Sequence, residues 1–324
     1  MTEPVHELAK KYLSRVKPSG NTNIMAICPF HRKADGSFEN DPSFAMNTST
    51  GLWFCHSCKE RGNLKQFLYR IGVSAFIIEN QYKYLLETIA KYVPKKADPL
   101  RPHVLSNPPL EESLLGIFDK CPLPLLEEGF EEDILRHFDV GFDNAHMRIT
   151  FPLRDMLGKL VGISGRAVVD GDLPRYKVYD TEYTVWGLSQ RSLNKSSLIW
   201  NVHDLYPAAE FGGLEYVVLV EGFKACMWLV QAGIRNVVAL LGSYLSEDQK
   251  WILEHMGVPV FLMLDNDDAG RKGRDFIGSF ISKSLPVKVV EYEGDQPSDM
   301  QPDLVQQAIS QAKDYYLWVI DKGI

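Results

Sequence analysis

The sequence predicts an α/β protein, α+β overall, built from more than one folded unit. Three observations predict it. From residue 214 onward, LEYVVLVEG, NVVALLG, VPVFLMLDND and VKVVEY are short apolar runs rich in Val, Leu and Phe, separated by helical segments around 224–232, 246–255 and 268–283. That alternation belongs to a parallel sheet with helices on both faces. Between Met147 and Val178 the runs RITFPL, KLVGISGRAVV and RYKVY are broken by Gly, Pro and Asp, which predicts antiparallel strands. Five prolines between Pro94 and Pro109 block helix and sheet alike and mark a linker.

The remaining elements follow in chain order. Residues 1–70 open with an amphipathic stretch and continue as a Cys/His-punctuated region. From Ile77 to Tyr92, apolar residues at Ile77, Ile78, Tyr82, Leu85, Leu86 and Ile89 predict a helix. GFEEDILRHFDVGF reads as a short helix with acidic residues in its first turn, where the helix dipole favours them.

With 324 residues, 45% hydrophobic and 24% charged, the chain has an ordinary globular composition and room for two or three units. No apolar stretch nears the roughly 18 residues that span a bilayer. MTEPVHELAKKYLSRVK lacks the apolar core and cleavage site of a secretory signal, so a cytoplasmic location and no membrane partner are expected. The net charge of −7 hides a pattern. Basic residues outnumber acidic ones over 1–70 and 148–200, and acidic residues dominate 101–147 and 201–324. Such alternation is compatible with a polyanion laid along part of the surface.

Cys28-Pro-Phe-His31 and Cys55-His-Ser-Cys58 are two knuckles with two-residue gaps. A tetrahedral zinc ion needs four N/S ligands, and each gap lets one knuckle supply two. His56 competes with Cys55, but its spacing to Cys58 breaks the symmetry of the pair. Four protein ligands leave no open position, so the expected zinc is structural. Cys121 and Cys226 read as small core residues. Phe30, Phe44, Trp53 and Phe54, with Arg32, Lys33, Lys59, Arg61 and Lys65 nearby, admit two readings. Such rings can stack on single-stranded nucleic acid, or a small domain can need them for its own scanty core.

Glu221-Gly222 closes the first strand of the C-terminal pattern and Asp265-Asn266-Asp267-Asp268-Ala269-Gly270 the third. Carboxylates at neighbouring strand ends can converge where open α/β sheets place their active sites. Hard oxygen ligands suit magnesium or manganese, and two such ions can stabilise both oxygens of a phosphoryl transfer. Asp295 and Asp299 after the fourth strand offer further ligands.

These motifs together resemble those of the DnaG-type bacterial and bacteriophage DNA primases. CPFH, DPSF and WFCHSCKERGNLKQFL are similar to the primase zinc ribbon. GFEEDILRHFDVGF with RITFPLRDMLGKLVGISGR and LPRYKVY resembles the basic half of the primase polymerase core, and EGFKA with LDNDDAGRKG resembles the Toprim motifs. The resemblance implies a zinc ribbon over 1–93, the linker over 94–110, a mixed α+β basic subdomain over 111–212 and a Toprim parallel-sheet subdomain over 213–324. It also implies an RNA-polymerase-type nucleotidyltransferase that makes short RNA primers on a single-stranded DNA template during replication. Its other partners would be ribonucleoside triphosphates and a replicative helicase on a separate chain.

By the same resemblance Glu221, Asp265 and Asp267 would be catalytic and hold magnesium, with Asp299 as a further ligand. Cys28, His31, Cys55 and Cys58 would hold zinc, in a ribbon that reads template. Arg148, Arg166, Arg175 and Lys177 would contact template backbone or triphosphate. The chain departs from the family at Ala225 and Gln296, where acidic residues are usual, and at Arg175, where the family has lysine. The early stop after the Toprim motifs looks more like a phage or plasmid primase. The rival readings are a recombination mediator resembling RecR, a Toprim nuclease or topoisomerase, and a primase that has lost catalysis. A mediator of that kind would carry its zinc site directly before Toprim.

Overall fold

The computed structural model describes residues 4–20, 22–33, 36–90, 105–169, 171, 173–179 and 193–322. The linker expected over 94–110 lies, through residue 104, outside the described residues. The chain divides into two units, one of residues 1–100 with 203–214, the other of residues 101–202 with 215–324.

The first unit begins with α1 (Pro4–Tyr12) and continues into five short strands, β1 (Lys17–Ser19), β2 (Asn23–Ala26), β3 (Phe44–Asn47), β4 (Trp53–Cys55) and β5 (Arg61–Gly62). They form one antiparallel sheet in sequential order. Three helices follow, α2 (Leu64–Arg70), α3 (Ala75–Gln81) and α4 (Lys83–Ala90). Asn63 starts α2 through a reciprocal capping box with Gln66, which satisfies two otherwise orphaned N–H groups. The helix expected from Ile77 to Tyr92 is broken at Tyr82. There the phenol hydroxyl meets Tyr12 Oη at 2.8 Å and accepts from Lys11 Nζ at 3.0 Å, so tertiary contact overrides the helical period. Phe44, Trp53 and Phe67 are wholly buried around Phe30.

In the second unit a 3-10 helix over Glu112–Phe118 precedes α5 (Leu123–Glu127) and α6 (Glu132–His137), the short acidic-capped helix expected from GFEEDILRHFDVGF. Strands β6 (Gly141–Asp143), β7 (Arg148–Arg154), β8 (Leu160–Ala167) and β9 (Tyr176–Val178) then make an antiparallel sheet. The segment around α7 (Val202–Glu210) falls mostly in the first unit. There Asp204 Oδ2 pairs with Arg61 at 3.3 Å, and Gly213 packs so tightly on Phe54 that a Cβ would sit 2.1 Å from the ring.

The rest of the second unit alternates strand and helix, as its sequence pattern predicts: β10 (Val217–Val220), α8 (Phe223–Gln231), β11 (Val237–Ala239), α9 (Glu247–Met256), β12 (Val260–Leu262), α10 (Asp268–Ile281) and β13 (Val287–Val289). Then come α11 (Pro302–Ser310), β14 (Lys313–Asp314) and α12 (Tyr315–Lys322). The sheet order is β11-β10-β12-β13-β14, parallel except for β14. Two residues were too few for β14 to show in the pattern. All four residues of β10 are buried, as in a sheet covered on both faces.

Trp200 joins the two sheets of this unit. Its backbone exchanges hydrogen bonds with Ala239 of β11 at 2.8 and 3.0 Å, and its indole donates to Pro152 O of β7 at 2.9 Å. The ring stacks on Phe138 at 4.7 Å and meets Phe223 edge-on at 4.9 Å. Trp200→Ala is expected to destabilise the second unit by about 3–5 kcal/mol, read as a lower denaturant midpoint by far-ultraviolet circular dichroism, with Trp200→Phe recovering part of the loss.

Candidate active site and metal centre

Cys28 and His31 follow β2, Cys55 ends β4, and Cys58 lies in the turn toward β5. One donor atom from each falls within 4.8 Å of all the others. Cys28 Sγ is 3.9 Å from Cys58 Sγ, and His31 Nδ1 is 3.8 Å from Cys55 Sγ. The backbone N–H groups of Phe30 and Cys58 donate to Cys28 and Cys55 sulfur at 3.4 and 3.5 Å. A hydrogen bond with Cys55, together with burial, pushes the Cys28 thiol up, while the same bond holds Cys55 down to about 4. Sulfurs this crowded ionise together only around a cation. The donor set fits one structural zinc ion with no open position.

His56 is exposed and stands edge-on to Phe54, outside the quartet. Behind His31 lies a partner that sequence reasoning missed. Glu39 Oε1 stands 2.9 Å from His31 Nε2 and is held down to about 2 by His31 and then Ser43. A carboxylate behind a ligand imidazole fixes the ring's orientation. Glu39 sits in an irregular loop with no periodicity to flag it. The aromatic residues near the knuckles resolve toward the core reading, since Phe44, Trp53 and Phe54 are wholly buried.

In the second unit, Glu221 follows β10 and Asp265 follows β12, the two strands being adjacent. The Asp265 N–H donates to Glu221 Oε1 at 3.2 Å. Gly270 makes this approach possible, because a Cβ there would lie 2.1 Å from Asp265 O and 2.6 Å from Glu221 Oε1. Burial, with the Asp265 charge added, pushes the Glu221 carboxyl up to about 7. Burial, with Asp267 and Asp299 nearby, pushes Asp265 up to about 6. Asp267 caps α10, accepting from Gly270 N at 2.7 Å. Asp299 accepts from the N–H groups of Asp295 and Gln296 at 3.1 and 3.0 Å. Among the described residues the Cys/His quartet is the group that closes within 4.8 Å, and the acidic residues do not.

The loop carrying these acids is fastened from below. Buried Arg274 donates to Leu264 O, Asp265 O and Asn266 Oδ1, and Tyr292 Oη donates to Leu264 O at 2.9 Å. Asn266 bonds Asp295 O, Tyr292 O and Gly294 O in the loop after β13.

Glu221 and Asp265 line a cavity of about 400 Å³ whose other walls carry Arg175, Lys195 and Lys224, with Tyr176 and Gln296. The cationic residues predicted from sequence separate here. Arg175 is exposed and lines the cavity. Lys177 alternates on β9 with the cavity-lining Tyr176 and Val178 and so faces the other side of the sheet. Arg148 is buried, donating to Gly165 O and Pro174 O at 3.2 and 3.0 Å, so its guanidinium supports the strands instead of reaching a ligand. Arg166 is mostly buried and pairs with Glu128, which also holds Lys224 Nζ at 2.5 Å. Lys195 and Lys224 were missed. Lys224 lies inside the E-G-x-x pattern, whereas Lys195 occupies a polar stretch with no pattern.

Comparison with known proteins agrees with this geometry. Residues 3–96 match the CHC2 zinc finger family and residues 218–303 the Toprim-like family. The DNA primase of Deinococcus radiodurans is 28% identical over 302 residues, covering 80% of this chain and 49% of the relative. The chain is a homologue of the bacterial DNA primases. That of Aquifex aeolicus is 26% identical, covering 92% of this chain and 63% of the relative. The solved Aquifex aeolicus primase, with its zinc-binding and RNA polymerase domains, shares the fold with a TM-score of 0.56 at 20% identity. It covers 97% of this chain and 84% of that one. A DnaG catalytic domain solved with single-stranded DNA gives 0.52 at 19% identity, over 65% of this chain and 80% of that one. The chain spans about half the length of most curated relatives it matches. Among the described residues no helix is long and apolar enough to cross a membrane.

Two expectations follow. Cys55→Ser should lower the metal content from one zinc per chain to a small fraction of that, measured by atomic emission on purified protein. Because both acids hold their protons more tightly when folded, their contribution to stability is full below about pH 4 and declines as pH rises through about 6 to 7. Without added magnesium or manganese, Glu221→Gln should therefore flatten the fall of the melting midpoint between pH 5 and pH 8. An unchanged slope would show that these acids are not strained by burial.

Proposed function

We propose that this chain synthesises short RNA primers on single-stranded DNA during replication, by metal-dependent nucleotidyl transfer from ribonucleoside triphosphates. The observation that carries the reading is the cavity in which Glu221 and Asp265 face Arg175, Lys195 and Lys224. Acids at strand ends opposite a cluster of cations suit a triphosphate, whose charge the cations neutralise and whose reacting end the acids address. The homology to bacterial DNA primases supports the same reaction.

In this reading Glu221, Asp265 and Asp267, with Asp299 beside them, hold magnesium or manganese, and the ion supplies a positive field at the reacting phosphate. The donors suit it: all are carboxylates, hard ligands without nitrogen or sulfur. The 3′-oxygen of one nucleotide bonds to the α-phosphorus of the next and pyrophosphate leaves. The protein's own part is positioning. Arg175, Lys195 and Lys224 orient the triphosphate, and the Asp265 N–H holds the Glu221 carboxylate in place. Gly222, where nothing within 4 Å would meet a Cβ, leaves the floor between β10 and α8 open. Leu241, held at φ 64°, and Gly242, whose N–H bonds Glu221 O at 3.1 Å, fix the wall beside it.

The zinc unit engages the template in this scheme. Arg166 acts through its pair with Glu128, and Arg148 supports the sheet that carries Arg175 through its bonds to Gly165 O and Pro174 O. A replicative helicase on a separate chain completes the set of partners. A mediator would carry its zinc site directly before the Toprim motifs, whereas the basic segment lies between Cys58 and Glu221 here, and a nuclease has no need of the zinc ribbon.

Incubation with single-stranded phage DNA, a divalent cation and labelled ribonucleotides should yield oligoribonucleotides on a gel. Asp265→Ala should lower the yield by at least 100-fold, a loss of about 3 kcal/mol of transition-state stabilisation, with the melting midpoint unchanged or raised. Near-normal yield from that variant, or cleaved template without RNA, would refute the assignment.

A further inference from the structure

A row of aromatic rings leads away from the acidic end of the second unit's parallel sheet. Phe280 and Phe276 of α10 stack with centroids 5.4 Å apart and planes 24° apart. Phe276 stacks in turn on Tyr244, at 4.9 Å and 19°. Tyr244 lies in the loop between β11 and α9, just after Leu241 and Gly242, which line the cavity with Glu221 and Asp265. The two ends of the row differ. Lys250 Nζ covers the Phe280 ring at 4.3 Å, while Tyr244, at the other end, is 65% exposed.

The row is also held in place. Gly273 of α10 approaches the Tyr244 loop so closely that a Cβ would stand 2.6 Å from Ser243 O. Along α10, Lys272, Phe276 and Phe280 are spaced by four residues, which sets them on one face of the helix, and Lys283 follows just past its end. Lys272 and Lys283 are exposed. That face starts near Asp267, at the acidic site, and runs outward with cations and rings interleaved. Lys250 also lies 3.8 Å from Glu254, so its charge is partly shared.

An aromatic stack capped at one end and open at the other continues most readily with another flat ring. Beside lysines, and one loop away from a cavity built for nucleotides, that ring is a nucleobase. We infer that Tyr244 is a stacking platform for a base of the single strand that passes out of the cavity. The inference rests on the proposed function, and the strand is either template DNA or RNA product, which share this chemistry.

The test uses the full chain and a labelled oligonucleotide of one mixed sequence, made once as DNA and once as RNA, with binding read by fluorescence anisotropy. Tyr244→Ala should weaken binding roughly 5- to 100-fold, the range for one lost base stack. Its dependence on salt concentration should keep the parent slope, because no phosphate contact is removed. Tyr244→Phe should bind like the parent. Adding oligonucleotide should quench the extra fluorescence of Tyr244→Trp, a readout that does not depend on catalysis. An effect on the DNA alone assigns the template, and an effect on the RNA alone the product. A chain that binds both strands equally well with and without the Tyr244 ring overturns the inference alone, as does loss of binding in Tyr244→Phe. A parent chain that binds neither strand overturns the proposed function with it.

Discussion

The pairing of β10 with β12 is the constraint on which the second unit's chemistry depends. Leu219 stands opposite Leu262, and both strands are buried. A slip in register would move apolar side chains off neighbours packed on both sides, so the alignment is strongly specified. Both strands therefore leave the sheet at the same level, and the carboxylates that follow them arrive together. The sheet imposes this closeness against electrostatic preference, since both acids are raised well above the usual carboxylate range. Gly270 removes the side chain that would keep them apart, and the Asp265 N–H offsets part of the cost.

Around this fixed point the unit supplies opposite charge from other elements. Arg175 comes from the entry to β9, Lys195 from the segment before Trp200, and Lys224 from the first turn of α8. Trp200 makes that placement reproducible, because one residue bonds both the edge strand of the parallel sheet and the antiparallel sheet. Glu128 tempers the cluster by engaging Arg166 and Lys224 at once. A charge-dense cavity between two sheets is thus held by one core, which contains residues of both.

The zinc unit solves a different problem. Its strands are two to four residues long and cannot bury much apolar surface by themselves. Two devices compensate: a tightly packed group of Phe30, Phe44, Trp53 and Phe67, and four metal donors gathered at one end of the sheet. The rings that could have served as a nucleic-acid platform are consumed by this core. In the second unit, exposed rings that stack on one another occur at Tyr244 and Phe276.

The sequence by itself determined the elements whose cause is local. The zinc ligands were legible because tetrahedral coordination requires two closely spaced donors per knuckle. The strand-helix alternation was legible because a sheet buried on both faces demands continuous apolar runs, and the acids because they end such runs. Tertiary structure decided what depends on contacts between distant residues. It broke the helix at Tyr82, where a phenol from far along the chain meets Tyr12. It turned Arg148 inward to backbone carbonyls while leaving Arg175 at the cavity, although both stand in the same kind of strand-rich stretch. It brought Lys195 to the acids from a segment without pattern and set Glu39 behind His31. No period or spacing encodes those placements, because each is set by which side chain fills a space that other segments create.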